Sequence, residues 1–364
     1  MKKVLYISGD GFTDSKKKWK IYFNSFDPFS KNYFITNALK LFTKCEIFNI
    51  SHSLRHPSFI LKLESKHLPG STFLRTKAII FINYCINILI RWKIRLNSYD
   101  LIIFSDNLFF INQKLFEDIK TIKSSKLILF SNISPINLLV DSQKSCIPYY
   151  DIIFISDSGH EKEWKELGGN NIINLPISAS SPHTFNKIIN NYNDEKLYDV
   201  TFIGRLDNLH HHRLEILNYL VSNGVPVNIW TWIDLSKKYL RKFPLLEANL
   251  RGQAFGEEMI KILSQSKIVL NIHILSQPDG GNLRLFEIPA ARSMQIADKC
   301  PENWFRDGHE IVLYKNNKDL LNKINYYLMN DKERARIAMN GYEKLIKEHT
   351  YQHRVKKLMN IFQN

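Results

Sequence analysis

The sequence lacks the features of a disulfide-rich or nucleic-acid-binding protein. It has four cysteines in 364 residues. They are far apart and form no CxxC pair, so we expect reduced, mostly buried thiols rather than a disulfide framework. No RNP, zinc-finger or basic-zipper pattern is present, and we therefore expect no nucleic-acid partner. Repeats at solenoid periods are also missing, which argues against a repeat architecture.

Long hydrophobic runs are scarce as well. The first strand candidate, Val4 to Ser8, has only four apolar residues after two lysines, which is typical of a β-strand rather than a signal peptide. The longest run, residues 78–92, would form a helix about 22 Å long, whereas bilayer hydrocarbon is roughly 30 Å thick. It also carries Asn83 and Asn87 on one face. A buried helix, or one lying at a membrane interface, is favoured over a spanning helix.

The composition is that of a folded protein with a strong basic excess. Hydrophobic residues make up 44% and charged residues 23% of the chain, and the length is sufficient for two domains. Lys+Arg 50 against Asp+Glu 35 gives a net charge of +15. Such an excess serves nucleic acid, anionic lipid or phosphorylated ligands, and does not by itself choose among them.

Strand-like and helix-like segments alternate along the chain, which predicts an α/β fold with doubly wound sheets. We expect an N-terminal Rossmann-like domain over residues 1–177 and a polar linker over 178–196. A second Rossmann-like domain is expected over 197–348. A C-terminal helix, residues 349–364, can cross back to the first domain. This arrangement predicts two domains facing a cleft, although fold alone does not give function.

The most informative segment is Asp279-Gly-Gly-Asn-Leu-Arg-Leu-Phe-Glu287. It follows an apolar strand-like run and a loop, and it passes into helical spacing. A strand, a Gly-Gly turn and a helix start place backbone N–H groups at the carboxyl edge of a sheet, where phosphates bind. The two acidic residues are better suited to accept hydrogen bonds from hydroxyls. Phosphate together with hydroxyls describes a nucleotide-sugar, so the segment predicts a sugar-nucleotide-dependent glycosyltransferase.

This segment resembles the Glu-x7-Glu motif of group 1 glycosyltransferases with the GT-B fold, with Asp279 in the first position. Further blocks match in order and are similar to the spore-maturation-protein branch of that group: residues 266–271, 281–290, 302–305, 308–314 and 348–354. The resemblance covers about residue 198 to the C-terminus. In the first half only the residues 154–177 carry a recognisable string.

The resemblance implies roles for the motif residues. Glu287 would hydrogen-bond the nucleotide ribose, and Asp279 would contact hydroxyls of the transferred sugar. Gly280, Gly281 and Asn282 would let the backbone approach the diphosphate, and glycine tolerates the positive φ of such turns. Arg284 is also predicted to bind the nucleotide-sugar donor. An alternative for it is a helix surface pair with Glu287, worth ~0.2–0.5 kcal/mol.

A second candidate site is the strand end Phe202-Ile-Gly-Arg205. The resemblance implies that Arg205 reaches the diphosphate, which suits a guanidinium. The lysine usually found several residues later is missing, and Arg213 is a possible substitute. The run His210-His211-His212 lacks the spacing of metal ligands, so a solvated helix entry is favoured over a metal site.

The acceptor half offers weaker candidates. Asp10 follows the first strand in a Gly-rich loop and could act as a general base if the enzyme inverts configuration; a simple turn residue is an equal alternative. Strand ends also place Asp106, Asn132 and Asp157, with His160 just beyond, at the presumed cleft. No DxD-like metal motif stands at a convincing strand end, so we expect no metal and no other cofactor.

The resulting hypothesis is a hexosyltransferase-type glycosyltransferase that acts in surface polysaccharide or glycoconjugate biosynthesis. Its partners would be a nucleotide-diphosphate sugar and a glycan or lipid-linked acceptor. Transfer with retention is expected because the resembling family is mostly retaining. We expect a cytoplasmic protein in peripheral contact with the anionic face of the cytoplasmic membrane. The alternatives are a non-catalytic nucleotide-sugar-binding assembly factor and a GT-B-type sugar-nucleotide epimerase.

Overall fold

The chain divides into two compact units. Unit 1 comprises Met1–Ile177 and Val355–Asn364, and unit 2 comprises Ser178–Arg354. The computed structural model describes residues 2–8, 21–23, 30–50, 71–105, 111–122, 124–131, 134–176, 179–192, 195–207, 210–232, 239–275 and 279–362. Asp10, Asp106 and Asn132 therefore lie outside the described residues.

Unit 1 is built on one mostly parallel sheet. Its strands are β1 (Lys3–Ser8), β2 (Ile21–Phe23), β3 (Lys44–Ile50), β4 (Leu101–Ser105), β5 (Lys126–Ser131), β6 (Ile152–Ile155) and β7 (Ile172–Asn174). Their order among the described residues is β2-β3-β1-β4-β5-β6-β7, with only the edge strand β2 antiparallel. The short apolar strands are buried along their length, as β4 and β6 are, because helices cover both faces of such sheets.

The longer helices of unit 1 are α1 (Lys31–Phe42), α2 (Ser71–Leu96), α3 (Gln113–Ile122) and α4 (Glu161–Glu166). Ser30 caps α1, because its Oγ accepts a hydrogen bond from the Tyr33 backbone N–H at 3.1 Å. Four single turns join these elements: Pro135–Leu138, Asp141–Lys144, Ile147–Tyr149 and Ser158–His160.

Helix α2 has two faces of different character. Ile86, Ile90 and Ile94 are buried in the core of unit 1. On the other side, apolar side chains are exposed: Ile80, Phe81, Tyr84, Trp92 and Leu96. Within the described residues, no helix is both long enough and apolar enough to cross a membrane. The segment predicted to be buried or interfacial is thus a helix with one buried side and one apolar exposed side.

Unit 2 contains a fully parallel sheet. Its strands are β8 (Tyr198–Ile203), β9 (Val227–Trp230), β10 (Leu250–Gly252), β11 (Ser266–Asn271), β12 (Met294–Ala297) and β13 (Val312–Leu313). The described strands are ordered β10-β9-β8-β11-β12-β13. This is the 3-2-1-4-5-6 order of a Rossmann sheet. Successive strands are added on one side of β8 up to β10, and on its other side from β11 onward, so the strand order reverses between β8 and β11. Ligands bind such sheets at the carboxyl ends of the two strands that flank the reversal.

The helices of unit 2 surround this sheet. They are α5 (Pro182–Ile189), α6 (His211–Ser222), α7 (Gly256–Ser264), α8 (Arg284–Ala290), α9 (Asn317–Met329) and α10 (Asp331–Glu348), with a 3₁₀-helix at Pro244–Asn249. A final helix, α11 (Tyr351–Ile361), begins in unit 2 and ends among the residues assigned to unit 1. Near its end, Lys2 Nζ donates a hydrogen bond of 2.6 Å to the Phe362 carbonyl oxygen.

The segment predicted as a polar linker is not irregular throughout, because it contains α5. Asn186 on this helix donates a hydrogen bond of 2.8 Å to the Tyr342 hydroxyl and accepts one of 3.0 Å from Arg292. Phe185, Ile188 and Ile189 are buried. Because the residues around these three positions are polar, the short amphipathic helix was not predicted from the sequence.

Candidate functional site

A cavity of about 350 Å³ opens in unit 2 at the point where the sheet order reverses. Phe202, Ile203 and Gly204 line it from the end of β8, and Leu270, Asn271 and Ile272 line it from the end of β11. The remaining wall comes from the start of α8 and from α6, through Asn282, Leu283, Arg284, Glu287 and Arg213. The cavity thus lies where a Rossmann sheet binds its ligand.

Arg284 and Glu287 form an ion pair inside this cavity wall. Arg284 Nη1 donates to Glu287 Oε2 at 2.8 Å, and the two side chains are 18% and 20% exposed. Arg284 also donates to the Ile203 carbonyl oxygen at 3.4 Å. Among the described residues, no donor contacts Oε1 of Glu287. The ion pair that was the alternative explanation for Arg284 is therefore present. It lines the cavity, however, and it leaves Oε1 of Glu287 available for a ligand.

Asn282 holds the turn that leads into α8. Its Oδ1 accepts a hydrogen bond of 3.1 Å from the Leu285 backbone N–H, and its Nδ2 donates to Asn271 Oδ1 at 2.8 Å. The side chain therefore caps the helix and ties it to the end of β11. Because α8 has only seven residues, charged side chains rather than a helix dipole are the main source of positive potential here.

Gly281 is needed for packing rather than for a positive φ. A Cβ at this position would lie 2.5 Å from Cζ3 of Trp304 and closer still to the Leu285 side chain. Among the described residues, the glycines with positive φ are Gly168, Gly224, Gly252, Gly256 and Gly308. The Gly280-Gly281 turn is not among them, so the expected left-handed conformation is wrong.

Arg213 is the buried cation of the cavity. It is 9% exposed, its Nη1 donates to the Arg205 carbonyl oxygen at 3.1 Å, and its guanidinium lies 6.0 Å from the centre of the Phe202 ring. Burial lowers its pKa to about 10, while Asp298 and Asp207 partly oppose this shift. The side chain therefore remains charged at neutral pH.

Arg205, which the resemblance implied as a diphosphate ligand, is not part of the cavity wall in the described structure, and its role stays a prediction. Arg205 Nη2 pairs with Asp207 Oδ2 at 2.9 Å, and the arginine side chain is 59% exposed. Asp207 also contacts His210 Nδ1 at 2.6 Å. Of the two arginines considered for the diphosphate, the structure brings Arg213 rather than Arg205 to the cavity.

Two of the three consecutive histidines, His210 and His212, have separate hydrogen-bond partners. His210 contacts Asp207, whereas His212 Nε2 donates to the His273 carbonyl oxygen at 2.8 Å. The second contact ties the start of α6 to the residue following Ile272. No group of three His, Cys, Asp or Glu side chains in the described part of the chain has the geometry of a metal site.

A hydrogen-bonded pair beside the cavity, His273 and Asp298, was not among the predicted site residues. His273 is 1% exposed, and its Nδ1 lies 2.6 Å from Asp298 Oδ1. Its backbone N–H also donates to both carboxylate oxygens at 3.1 Å. Burial would raise the pKa of Asp298, but the hydrogen bonds from His273 outweigh it and lower the pKa. Asp298 directly follows β12 and His273 lies two residues after the end of β11, a signal that could have revealed them.

The remaining predicted site residues within the described structure do not line the cavity. Asp279 is exposed and does not line the cavity. In unit 1, Asp157 Oδ1 accepts from the Gly159 backbone N–H at 3.0 Å, and buried His160 contacts Glu163 at 3.3 Å. These two residues hold a local turn in the described structure.

An aromatic cluster supports α8 from behind the cavity. Phe286 packs against the rings of Trp304, Phe305 and His349. The His349 ring is fixed by two hydrogen bonds: Nε2 donates to the Trp304 carbonyl oxygen at 3.0 Å, and Nδ1 accepts from Arg354 Nη2 at 2.9 Å. Burial, followed by the charge of Arg354, lowers the pKa of His349 to about 4.

Comparisons with known proteins find similarity in sequence family and in fold. A model of the family described as Glycosyl transferase-like matches residues 206–360, whereas no curated protein matches the chain. The structure of Anabaena Alr3699/HepE in complex with UDP-glucose is similar with a TM-score of 0.64 at 14% identity, covering 100% of both chains. A glycosyltransferase from Rickettsia africae ESF-5 gives 0.63 at 11% identity, covering 100% of this chain and 98% of that one.

These similarities confirm the predicted fold class, which is GT-B with two Rossmann-like units and a helical C-terminus. The segment that matches the family model, residues 206–360, is similar to the Glycosyl transferase-like family over less than half of the chain. It contains the whole of the motif segment and every side chain assigned to the cavity from α6 and α8. The narrower resemblance to the spore-maturation-protein branch stays a prediction.

Proposed function

We propose that the protein is a glycosyltransferase that transfers a sugar from a nucleotide-diphosphate sugar to a glycan or lipid-linked acceptor. The observation that carries the proposal is the cavity at the reversal of the unit 2 strand order, which both Glu287 and the buried cation of Arg213 line. Its volume of about 350 Å³ falls in the range of small-molecule sites. The neighbouring HepE structure contains UDP-glucose, which supports a donor of this class.

Each side chain has a chemical task in this proposal. Oε1 of Glu287 accepts hydrogen bonds from the ribose hydroxyls, while Arg284 holds the carboxylate in place through Oε2. Arg213 pairs with the diphosphate, to which a guanidinium binds through two N–H groups. Asp279 contacts hydroxyls of the transferred sugar, as the family resemblance implies.

The reaction breaks the bond between the anomeric carbon and the diphosphate oxygen. Negative charge then grows on the departing nucleoside diphosphate, and Arg213 stabilises that charge in a partly buried site. Because a protein cation fills this role, we infer transfer without a metal ion. The hydroxyl oxygen of the acceptor forms the new bond to the anomeric carbon. If it attacks from the face that the diphosphate leaves, and the leaving diphosphate takes the acceptor proton, the configuration of the sugar is retained.

The site assignment is tested by Glu287→Gln, which keeps the size of the side chain and removes its charge. Hydrogen bonds to a charged group contribute ~1.5–3 kcal/mol, so the nucleotide affinity should fall about 10-fold to 100-fold. A thermal-shift screen against UDP, ADP, GDP and their sugars measures this, because bound ligand raises the melting temperature. Glu215→Gln is the matched control, since Glu215 is exposed on α6. Equal nucleotide shifts in both variants would refute the assignment.

Turnover separates the proposal from its alternatives. A transferase releases nucleoside diphosphate faster when a suitable acceptor is added and leaks donor slowly to water without one. An epimerase would release or rearrange the sugar at full rate without an acceptor. An assembly factor would bind the nucleotide-sugar and leave it intact.

We further propose that the exposed face of α2 contacts an anionic membrane surface, where lipid-linked acceptors reside. Phe81 and Trp92 are 66% and 64% exposed on this face, and they can enter the lipid interface as apolar anchors. Lys77 and Arg95 lie on the same helix and are exposed. These cations and the net charge of +15 complement anionic headgroups.

Vesicle sedimentation tests the membrane contact. We expect binding to vesicles of phosphatidylglycerol and phosphatidylcholine at low salt, with weaker binding to phosphatidylcholine alone. Changing Phe81 and Trp92 together to Ser should lower the binding more than 10-fold, because each buried aromatic contributes about 1.5–3 kcal/mol. Met329→Ser in unit 2, where Met329 is 79% exposed, is the control. Undiminished sedimentation of the double variant would exclude this face.

A further inference from the structure

Asp298, whose side chain is 27% exposed, is the centre of a polar cluster beside the nucleotide cavity. Its backbone N–H donates to the carbonyl oxygen of Asn271 at 3.4 Å, and Asn271 lines the cavity. Its carboxylate accepts three hydrogen bonds from His273. It also interacts electrostatically with Arg213, His212 and Tyr314. The carboxylate therefore contacts His273 directly and acts on the other three side chains through its charge.

The cluster contains an unusual concentration of buried polar atoms without a hydrogen-bond partner in the described structure. They are Arg213 Nε, His212 Nδ1, His273 Nε2 and Tyr314 Oη. Native proteins pair nearly all such atoms, since leaving one unpaired is costly. A stable fold has little reason to keep four of them together next to a cavity, so the cluster points to a functional role.

The electrostatic position of Asp298 is specific. Among the charged groups that act on Arg213, Asp298 has the largest effect. Arg213 lines the cavity, and it is joined to Asp298 through its sequence neighbour His212, which donates to the carbonyl oxygen of His273, the residue that Asp298 binds. The hydrogen bond from His273 Nδ1 keeps Asp298 in its charged form, because a carboxylate accepts and the ring nitrogen donates.

The substrate and product of the proposed reaction differ in charge at the end that Arg213 binds. A nucleotide-sugar carries about two negative charges on its diphosphate. The released nucleoside diphosphate carries about three at neutral pH, because the second pKa of a terminal phosphate is ~6. A fixed negative charge nearby repels both ligands, and it repels the product more.

We propose that Asp298 is a specificity-determining residue that weakens the binding of the product nucleoside diphosphate relative to the donor nucleotide-sugar and so promotes product release. This inference rests on the proposed function. Coulomb interaction across several ångströms at the effective dielectric of protein sites is large enough for about a tenfold difference. Arg213 provides the affinity for both ligands, and Asp298 sets the difference between them.

The test is the ratio of two dissociation constants in Asp298→Asn. We would measure binding of UDP and UDP-glucose by calorimetry, and of the ADP and GDP pairs in parallel. In Asp298→Asn, the affinity for the diphosphate should rise about tenfold relative to the affinity for its sugar. Asp298→Glu should keep the wild-type ratio. Asp199→Asn should keep it too, because Asp199 is half exposed at the opposite end of β8 and pairs with Lys267.

Each outcome decides the matter. An unchanged ratio in Asp298→Asn, with both ligands still bound, overturns the proposal. If Asp298→Asn binds neither ligand, Asp298→Ser is measured in the same way. Loss of all binding in both neutral variants would assign the carboxylate a purely structural role and also overturn it. If the wild-type protein binds none of the nucleotides, the proposed function itself fails, which is a different result.

Discussion

The buried imidazole of His349 should make the stability of unit 2 sensitive to mild acid. Its Nδ1 accepts a hydrogen bond from Arg354, and its Nε2 donates to the Trp304 carbonyl oxygen. Protonation would place an N–H group on Nδ1 directly against the N–H of a cationic arginine. The ring must therefore lose this hydrogen bond, or the fold must open, before the proton can bind.

The magnitude follows from the two pKa values. An unfolded histidine titrates at ~6.5, whereas burial and Arg354 lower the pKa of His349 in the fold to about 4. Between these values the unfolded chain binds the proton and the folded one does not, so stability decreases as the pH falls. The contribution of the neutral His349 ring to the stability is fully present above pH ~6.5. About 2 kcal/mol should be lost by pH 5, and about 3 kcal/mol by pH 4, at ~1.4 kcal/mol per factor of ten.

The assay compares the wild-type protein with His349→Gln by urea unfolding at pH 7.5 and pH 5, followed by tryptophan fluorescence. Glutamine can still donate to the carbonyl and accept from the arginine, but it does not titrate. The difference in unfolding free energy between the two proteins should move by about 2 kcal/mol in favour of the variant at pH 5. His183→Gln, which removes an exposed imidazole on α5, is the matched control. A difference that is independent of pH would refute the reasoning.

Two glycines give further predictions. Gly341→Ala would place a Cβ 2.7 Å from the backbone oxygen of Glu310, which cannot move aside. Overpacking should therefore lower the free energy of unfolding by about 1–3 kcal/mol, despite the higher helix propensity of alanine. An unchanged urea midpoint would contradict this. Gly281→Ala meets the side chain of Trp304 instead. There we expect a smaller loss of stability, a change in tryptophan fluorescence and weaker nucleotide binding, and unaltered binding would show that the turn does not shape the cavity.

Most of the fold follows from the alternation of short apolar runs with amphipathic segments. The Rossmann order of the unit 2 sheet could not be predicted from that pattern, because strand order depends on which helix covers which face. Helix α5 was missed for a local reason. Its apolar positions, such as Phe185 and Ile189, are separated by polar residues in a segment with the composition of a loop.

The candidate site was predictable where a single segment carries it. Glu287 and Asn282 lie on the cavity wall, as the motif indicated. Arg213 and Asp298 depend on residues brought together from distant parts of the chain, and burial rather than spacing gives them their character. For Gly281 the expected reason was wrong, since a larger residue there would press on the side chain of Trp304, which is distant in sequence.

The division of the chain into units has a consequence for how the protein is made. Unit 2 is one continuous segment, Ser178–Arg354, whereas unit 1 needs Val355–Asn364 in addition to its first 177 residues. Domains fold as they emerge during synthesis, but the last helix of unit 1 emerges only after all of unit 2. The unit that is synthesised first is therefore the one completed last, because the buried side chains of Val355, Leu358 and Met359 are added only after the whole of unit 2.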